Sequence, residues 1–93
     1  MTDIRIQRTG DHEYGVHIHE GDLTTTHHVT VPAGLRDELL IQDDDNEQRL
    51  VQESFAFLLD KEPATSILRD FRLDVIGDYF PDYRDEIRAR LNA

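Results

Sequence analysis

Through the first third of the chain, apolar and polar residues alternate with a period of two. This is the pattern of strands that pack one face and leave the other in water. Ile4 and Ile6 alternate with Asp3, Arg5 and Gln7, and Tyr14, Val16 and Ile18 with Glu13, Gly15, His17 and His19. Leu23, His27, Val29 and Val31 alternate with Thr24, Thr26, His28 and Thr30. Thr9-Gly10-Asp11-His12 and Glu20-Gly21-Asp22 separate the runs and carry turn chemistry. A two-residue turn at Gly21-Asp22 sets Val16 opposite His27 and Ile18 opposite Thr25 on the apolar face. It sets His17 opposite Thr26 and His19 opposite Thr24 on the polar face. A three-residue loop at Gly10–His12 pairs Ile4 with Ile18 and Ile6 with Val16. The two hairpins agree in register, and a slip of one residue would expose the whole apolar set. Residues 1–31 therefore predict a three-stranded antiparallel meander.

After Pro32 the period becomes helical. Ala33 to Ile41 predicts a short helix with Leu35, Leu39 and Leu40 on one side. Gln42-Asp43-Asp44-Asp45 reads as a connection, with Asp45 as N-cap and Gln48 at the capping-box position. These acids suit the positive end of the next helix. That helix spans Asn46 to Lys61, with Leu50, Val51, Ser54, Phe55, Leu58 and Leu59 forming its stripe. Pro63 ends it and opens a further helix through Phe71, carrying Ile67 and Leu68. Leu73 to Phe80 is a shorter helical piece, and Pro81 starts a last helix to Leu91 bearing Tyr83 and Ile87. The predicted fold class is α+β: a meander over 1–31, then four to five short helices over 33–92 packed on one face.

Composition narrows the function classes. A chain of 93 residues is one domain, and 20 acidic against 10 basic residues leave a net charge of −10. The excess is uneven. Residues 32–62 hold nine acids and three bases, while residues 63–93 hold six acids and five arginines. The absence of cysteine excludes a disulfide framework, a thiolate metal site and a cysteine nucleophile. No apolar run approaches the roughly 18 residues that span a bilayer, and no signal-peptide pattern opens the chain. The expectation is a cytoplasmic protein without a membrane partner. Its acidity disfavours nucleic acid and favours a basic protein.

Candidate chemistry is sparse. His17, His19 and His28 project from one sheet face, and three imidazoles there suit a divalent metal such as Zn²⁺, with Glu13 adding an oxygen. The alternative is a solvated polar face. No other cofactor is expected. His27 interrupts the apolar face and reads as a hydrogen-bonded histidine at the core margin. Asp43 to Ser54 fails the EF-hand pattern, with Gln48 at its glycine position and Ser54 at its glutamate position. Ser54 and Ser66 lie on predicted helices with no glycine elbow, the five glycines are scattered, and no acid/base pair stands out. The chain is therefore read as non-enzymatic. Two sets of residues are candidates for partner binding: the acids Asp43, Asp44, Asp45 and Glu47, and the aromatics Tyr79, Phe80 and Tyr83.

Two resemblances bear on function. Val29-Thr30-Val31-Pro32, then Leu35 to Leu40, then Leu50 to Leu59 follow a strand–helix–helix order. That order resembles ribbon-helix-helix regulators and related antitoxins, and it implies a dimeric DNA-binding regulator. The segments Glu53-Ser54-Phe55-Ala56-Phe57-Leu58-Leu59, Glu62 to Leu68 and Tyr79-Phe80-Pro81-Asp82-Tyr83 are similar to small uncharacterised prokaryotic proteins of about this length. That similarity implies a standalone domain. The leading expectation is a regulatory, antitoxin-like module that binds a protein, with homodimerisation possible. The DNA regulator and a histidine metal protein are the alternatives.

Overall fold

The computed structural model describes residues 2–92. Three antiparallel strands open the chain: β1 (Thr2–Gly10), β2 (Glu13–Glu20) and β3 (Leu23–Thr30). Helices α1 (Ala33–Glu38) and α2 (Asp44–Lys61) follow, then a 3-10 turn at Ala64–Ser66 and a short strand β4 (Asp70–Arg72). A second 3-10 turn, Leu73–Val75, runs into α3 (Ile76–Tyr79), and α4 (Tyr83–Leu91) ends the described chain. The fold is α+β with sheet order β1-β2-β3-β4, and β4 pairs parallel to β3.

Period-two alternation sets the meander's register. Ile4 pairs with Ile18, Ile6 with Val16, Val16 with His27, and His17 with Thr26, as the pattern predicts. Gly21 has φ +62 while Asp22 stays at negative φ, so the second turn is of the type that takes glycine at its first central position. In the first hairpin Gly10 pairs with Glu13, and the register shifts between Arg8 and Gly10. The extra residue is thus Thr9, and the pairing upstream is unchanged. The apolar face carries Tyr14, Val16, Ile18 and Val29, all buried. Helix α2 covers it, and the Phe55 ring lies 5.5 Å from that of His27. Another side of α2 meets α4, where Phe57 contacts Tyr83 edge-on at 5.5 Å. Arg49 donates to the carbonyls of Arg90 and Leu91 at the C-terminal end of α4, satisfying acceptors that the helix itself leaves free.

Several boundaries differ from the sequence reading. The sheet has four strands, because the segment predicted as a helix through Phe71 makes only one 3-10 turn before becoming extended. Ile67 is buried while Leu68 is half exposed, so no continuous helical stripe exists there. A parallel pairing with β3 satisfies the backbone instead, and His28 N–H donates to the Arg69 carbonyl at 2.7 Å. Helix α2 starts two residues earlier than predicted. Asp43, not Asp45, is its N-cap and accepts from Asn46 N–H at 2.7 Å.

Helix α1 stops at Glu38, short of the predicted Ile41. Leu40 N–H bonds to Asp37 O and Ile41 N–H to Arg36 O, which is the Schellman arrangement. Leu40 occupies its left-handed position at φ 59 and is 79% exposed. Glycine suits that position, and leucine there is strained by about 1 kcal/mol. Leu40→Gly is therefore expected to raise stability by about 0.5–1 kcal/mol, read as a shift in the urea midpoint. A loss of stability would show that the leucine side chain contributes packing the exposed position does not suggest.

Candidate functional site

The C-terminal half of α2, the segment before β4, and α3 enclose an apolar groove of about 190 Å³. Leu58, Ile67, Phe71 and Ile76 form its floor, and Leu68 and Tyr79 stand at its rim. Leu68 is 50% and Tyr79 68% exposed, two of the four large hydrophobic side chains displayed on the described surface. Glu62 also lines the groove, and Asp78 is exposed beside Tyr79. The groove exists because the chain turns from the 3-10 turn into β4 rather than continuing as a helix. His27 fixes that path from below. Its Nδ1–H donates to the Leu68 carbonyl at 2.7 Å, while Nε2 accepts from Thr25 Oγ1 at 2.9 Å. His27 is thus a buried clip, deeper than the core margin expected for it.

The structure separates the aromatic candidates. Tyr79 faces the groove. Phe80 is half-buried and packs edge-on against Phe57 at 5.8 Å. Tyr83 is fully buried, with Oη 2.7 Å from Ser54 Oγ, so it is a core residue and not an exposed anchor. The helical period of α4 places Tyr83 one turn before buried Ile87. Burial raises the Tyr83 phenol above the ordinary tyrosine range, against the pull of its Ser54 hydrogen bond.

The acidic candidates also divide. Asp43, Asp44 and Asp45 are exposed at the N-terminal end of α2, where Asp43 caps the helix and Asp44 takes Arg8 at 3.0 Å. Glu47 is only 2% exposed. It sits one turn before Leu50 and Val51 on the buried stripe, and starting α2 at Asp44 carries that stripe back to it. Glu47 Oε1 accepts from Tyr14 Oη at 2.7 Å and Oε2 from His12 Nδ1 at 2.7 Å. Arg36 Nε lies 3.6 Å from Oε2, buried but without a hydrogen bond. The carboxylate therefore joins the first hairpin to both α1 and α2, and it is not a surface charge. His12 holds φ 60, a conformation that L residues rarely adopt, with its carbonyl accepting from Val31 N–H and its ring on Glu47. The sequence signal for this cluster was the helical spacing from Glu47 to Leu50, Val51 and Ser54. Nothing local marked His12 as its partner. Burial, and next the hydrogen bond to Glu47, raise the Tyr14 phenol above its usual range.

Both tyrosines give a pH prediction. Their native pKa values exceed the unfolded value of about 10, so their contribution is full below that pH. It falls as pH rises further, because the unfolded chain releases phenolic protons that the native state retains. Phenolate absorbance from Tyr14 and Tyr83 should appear together with loss of circular dichroism. Complete ionisation of all tyrosines in a folded chain would contradict this.

His17, His19 and His28 lie on the solvent face of the sheet but do not converge. His19 Nδ1 is 3.1 Å from Thr24 Oγ1 and His17 Nδ1 is 3.3 Å from Thr26 Oγ1, each with its cross-strand neighbour. His28 stands between Glu13 at 3.5 Å and Asp70 at 3.4 Å. Among the described residues no three His, Cys, Asp or Glu side chains are grouped to hold a metal ion. The three histidines proposed from sequence thus each take separate neighbours. No helix of the described residues is long and apolar enough to cross a membrane. No protein-family model, curated protein or solved structure matches this chain.

Proposed function

We propose that this protein is a non-enzymatic, cytoplasmic, regulatory module of antitoxin-like type that binds another protein through the groove beside α3. The observation that carries this reading is the pairing of exposed Leu68 and Tyr79 over an apolar floor. Exposed tyrosines are common anchors of protein interfaces, and an apolar patch rimmed by polar residues marks an interaction site. The acidic groups nearby, and the net charge of −10, suit a partner with an apolar anchor flanked by basic residues. Asp43–Asp45 lie at the other end of α2, roughly 27 Å away along an 18-residue helix, and serve as cap and long-range steering charge. The DNA-regulator alternative has less support. Its strand, β3, is paired on both sides by β2 and β4, and its second helix opens behind aspartates that repel phosphate.

Affinity capture from the native lysate tests the proposal. The wild-type protein is expected to retain a basic protein that L68S/Y79S loses at unchanged melting temperature and that D43N/D44N keeps. Equal capture by the groove variant, or recovery of nucleic acid with a steep salt dependence, would overturn it.

A further inference from the structure

The outer edge of the sheet carries a pattern that neither the core nor the groove uses. Strand β1 is nine residues long, against three for β4 at the opposite edge. Thr2 to Arg8 pair with β2 in unbroken register, and among the described residues no strand pairs with the other side of β1. The direction of its backbone groups follows from the turn. A two-residue hairpin closes on a hydrogen-bonded pair, here Glu20 and Leu23, so alternation turns the backbone groups of Val16 and Ile18 toward β3. Those of Gly15, His17 and His19 then face β1. The same alternation reappears beyond β3, where His28 N–H reaches the Arg69 carbonyl. Asp3, Arg5 and Gln7 therefore bond to β2, while Thr2, Ile4 and Ile6 present free N–H and C=O groups outward. Such an edge templates pairing unless proline, charged side chains (lysine above all), a bulge or shortness blocks it. The segment Thr2–Arg8 has no proline, lysine or bulge, and its charges, Asp3, Arg5 and Arg8, are of both signs.

The side chains select the occupant. Asp3 and Arg5 are neighbours on the solvent face, with Arg5 Nε 3.3 Å from Asp3 Oδ2 and side chains 57% and 77% exposed. When two β1 strands pair antiparallel about a twofold axis through Ile4, Asp3 of each copy lies opposite Arg5 of the other. These are non-hydrogen-bonded positions, where side chains approach most closely. On the inner face Ile4 meets its counterpart and Ile6 meets Thr2, which covers two isoleucines that are only half-buried in one chain. About six backbone hydrogen bonds form along the seam. An axis through Arg5 would oppose the two arginines, and one through Ile6 would leave Asp3 without a cation. We propose that a second copy of this chain adds to β1 in the Ile4-centred register. It doubles the four-stranded sheet, with both helical layers on one face. The groove lies beside β4 at the opposite edge of each copy and stays open.

Charge exchange tests this. Sedimentation equilibrium from micromolar to millimolar concentration is expected to show a dimer for the wild-type protein. D3R and R5D each oppose like charges twice and should weaken association by about tenfold or more. The double exchange D3R/R5D restores the pairing, and an equimolar mixture of D3R with R5D forms a heterodimer tighter than either homodimer. All the altered side chains are exposed, so unchanged circular dichroism melts confirm that the variants fold. A monomeric wild-type protein, single variants that dimerise as well as wild type, or a double exchange that does not restore association would each overturn the proposal. The monomeric outcome would leave β1 open to a strand from another protein.

Discussion

Glu47→Ala should destabilise the protein by about 3 kcal/mol, because it removes one carboxylate on which three side chains depend. Tyr14 Oη and His12 Nδ1 each lose a 2.7 Å hydrogen bond, and the buried Nε of half-buried Arg36 loses its nearest counter-charge. The cost exceeds that of a surface ion pair, typically below about 1 kcal/mol, because water does not readily replace the lost partner of the Tyr14 hydroxyl on a residue 1% exposed. His12 would also lose part of what holds it at φ 60, which loosens the first hairpin. Glu47→Gln keeps the shape and one acceptor but not the charge, and should cost about half as much. Urea unfolding measures both. A cycle pairing Glu47→Gln with Tyr14→Phe should show coupling of about 1 kcal/mol. A Glu47→Ala loss below about 1 kcal/mol would mean that solvent reaches the cluster and the network contributes little.

Phe55→Ala is the second large effect, at about 4 kcal/mol. Phe55 is fully buried, with ring centroids 5.5 Å from His27 and 5.9 Å from Phe71. It therefore touches β3, β4 and its own helix at once. Domains of this size have total stability of roughly 5–15 kcal/mol, so the variant retains little margin. Because the cavity opens under β4, amide exchange at residues 67–72 should accelerate more than in β1 and β2. Uniform acceleration throughout the chain would show instead that β4 has no separate dependence on this ring. The contrast matters for the groove, whose rim residue Leu68 is held through the same contacts.

The meander was legible in the sequence down to individual pairs. Val16 opposite His27 and Ile4 opposite Ile18 required only a turn length and the rule that apolar residues share a face. The helices were legible as stripes, and Leu50, Val51, Ser54, Phe55 and Leu58 all lie on the buried side of α2. Strand β4 was not legible, since three residues with one apolar centre fall below what alternation can mark. Ile67, Leu68 and Phe71 instead imitate a helical face. Its existence depends on β3 having a free edge and on His27 grasping the Leu68 carbonyl. The partner candidates split for a related reason. An aspartate run and an aromatic cluster announce polarity and bulk, but the angular position of each residue on its helix decides exposure. That angle turned Glu47 and Tyr83 inward and left Asp43–Asp45 and Tyr79 outside.

The α+β class, the register of three strands, the buried stripe of α2 and the uneven acidity follow from residues close along the chain or related by one short turn, so the order of amino acids is enough to specify them. The fourth strand, the carboxylate shared by Tyr14 and His12, and the groove beneath Leu68 and Tyr79 arise only once the chain is folded. These depend on contacts between residues roughly thirty to forty positions apart. Such contacts have no period to read, since they arise where packing α2 against the sheet leaves a polar group to satisfy or an apolar surface uncovered.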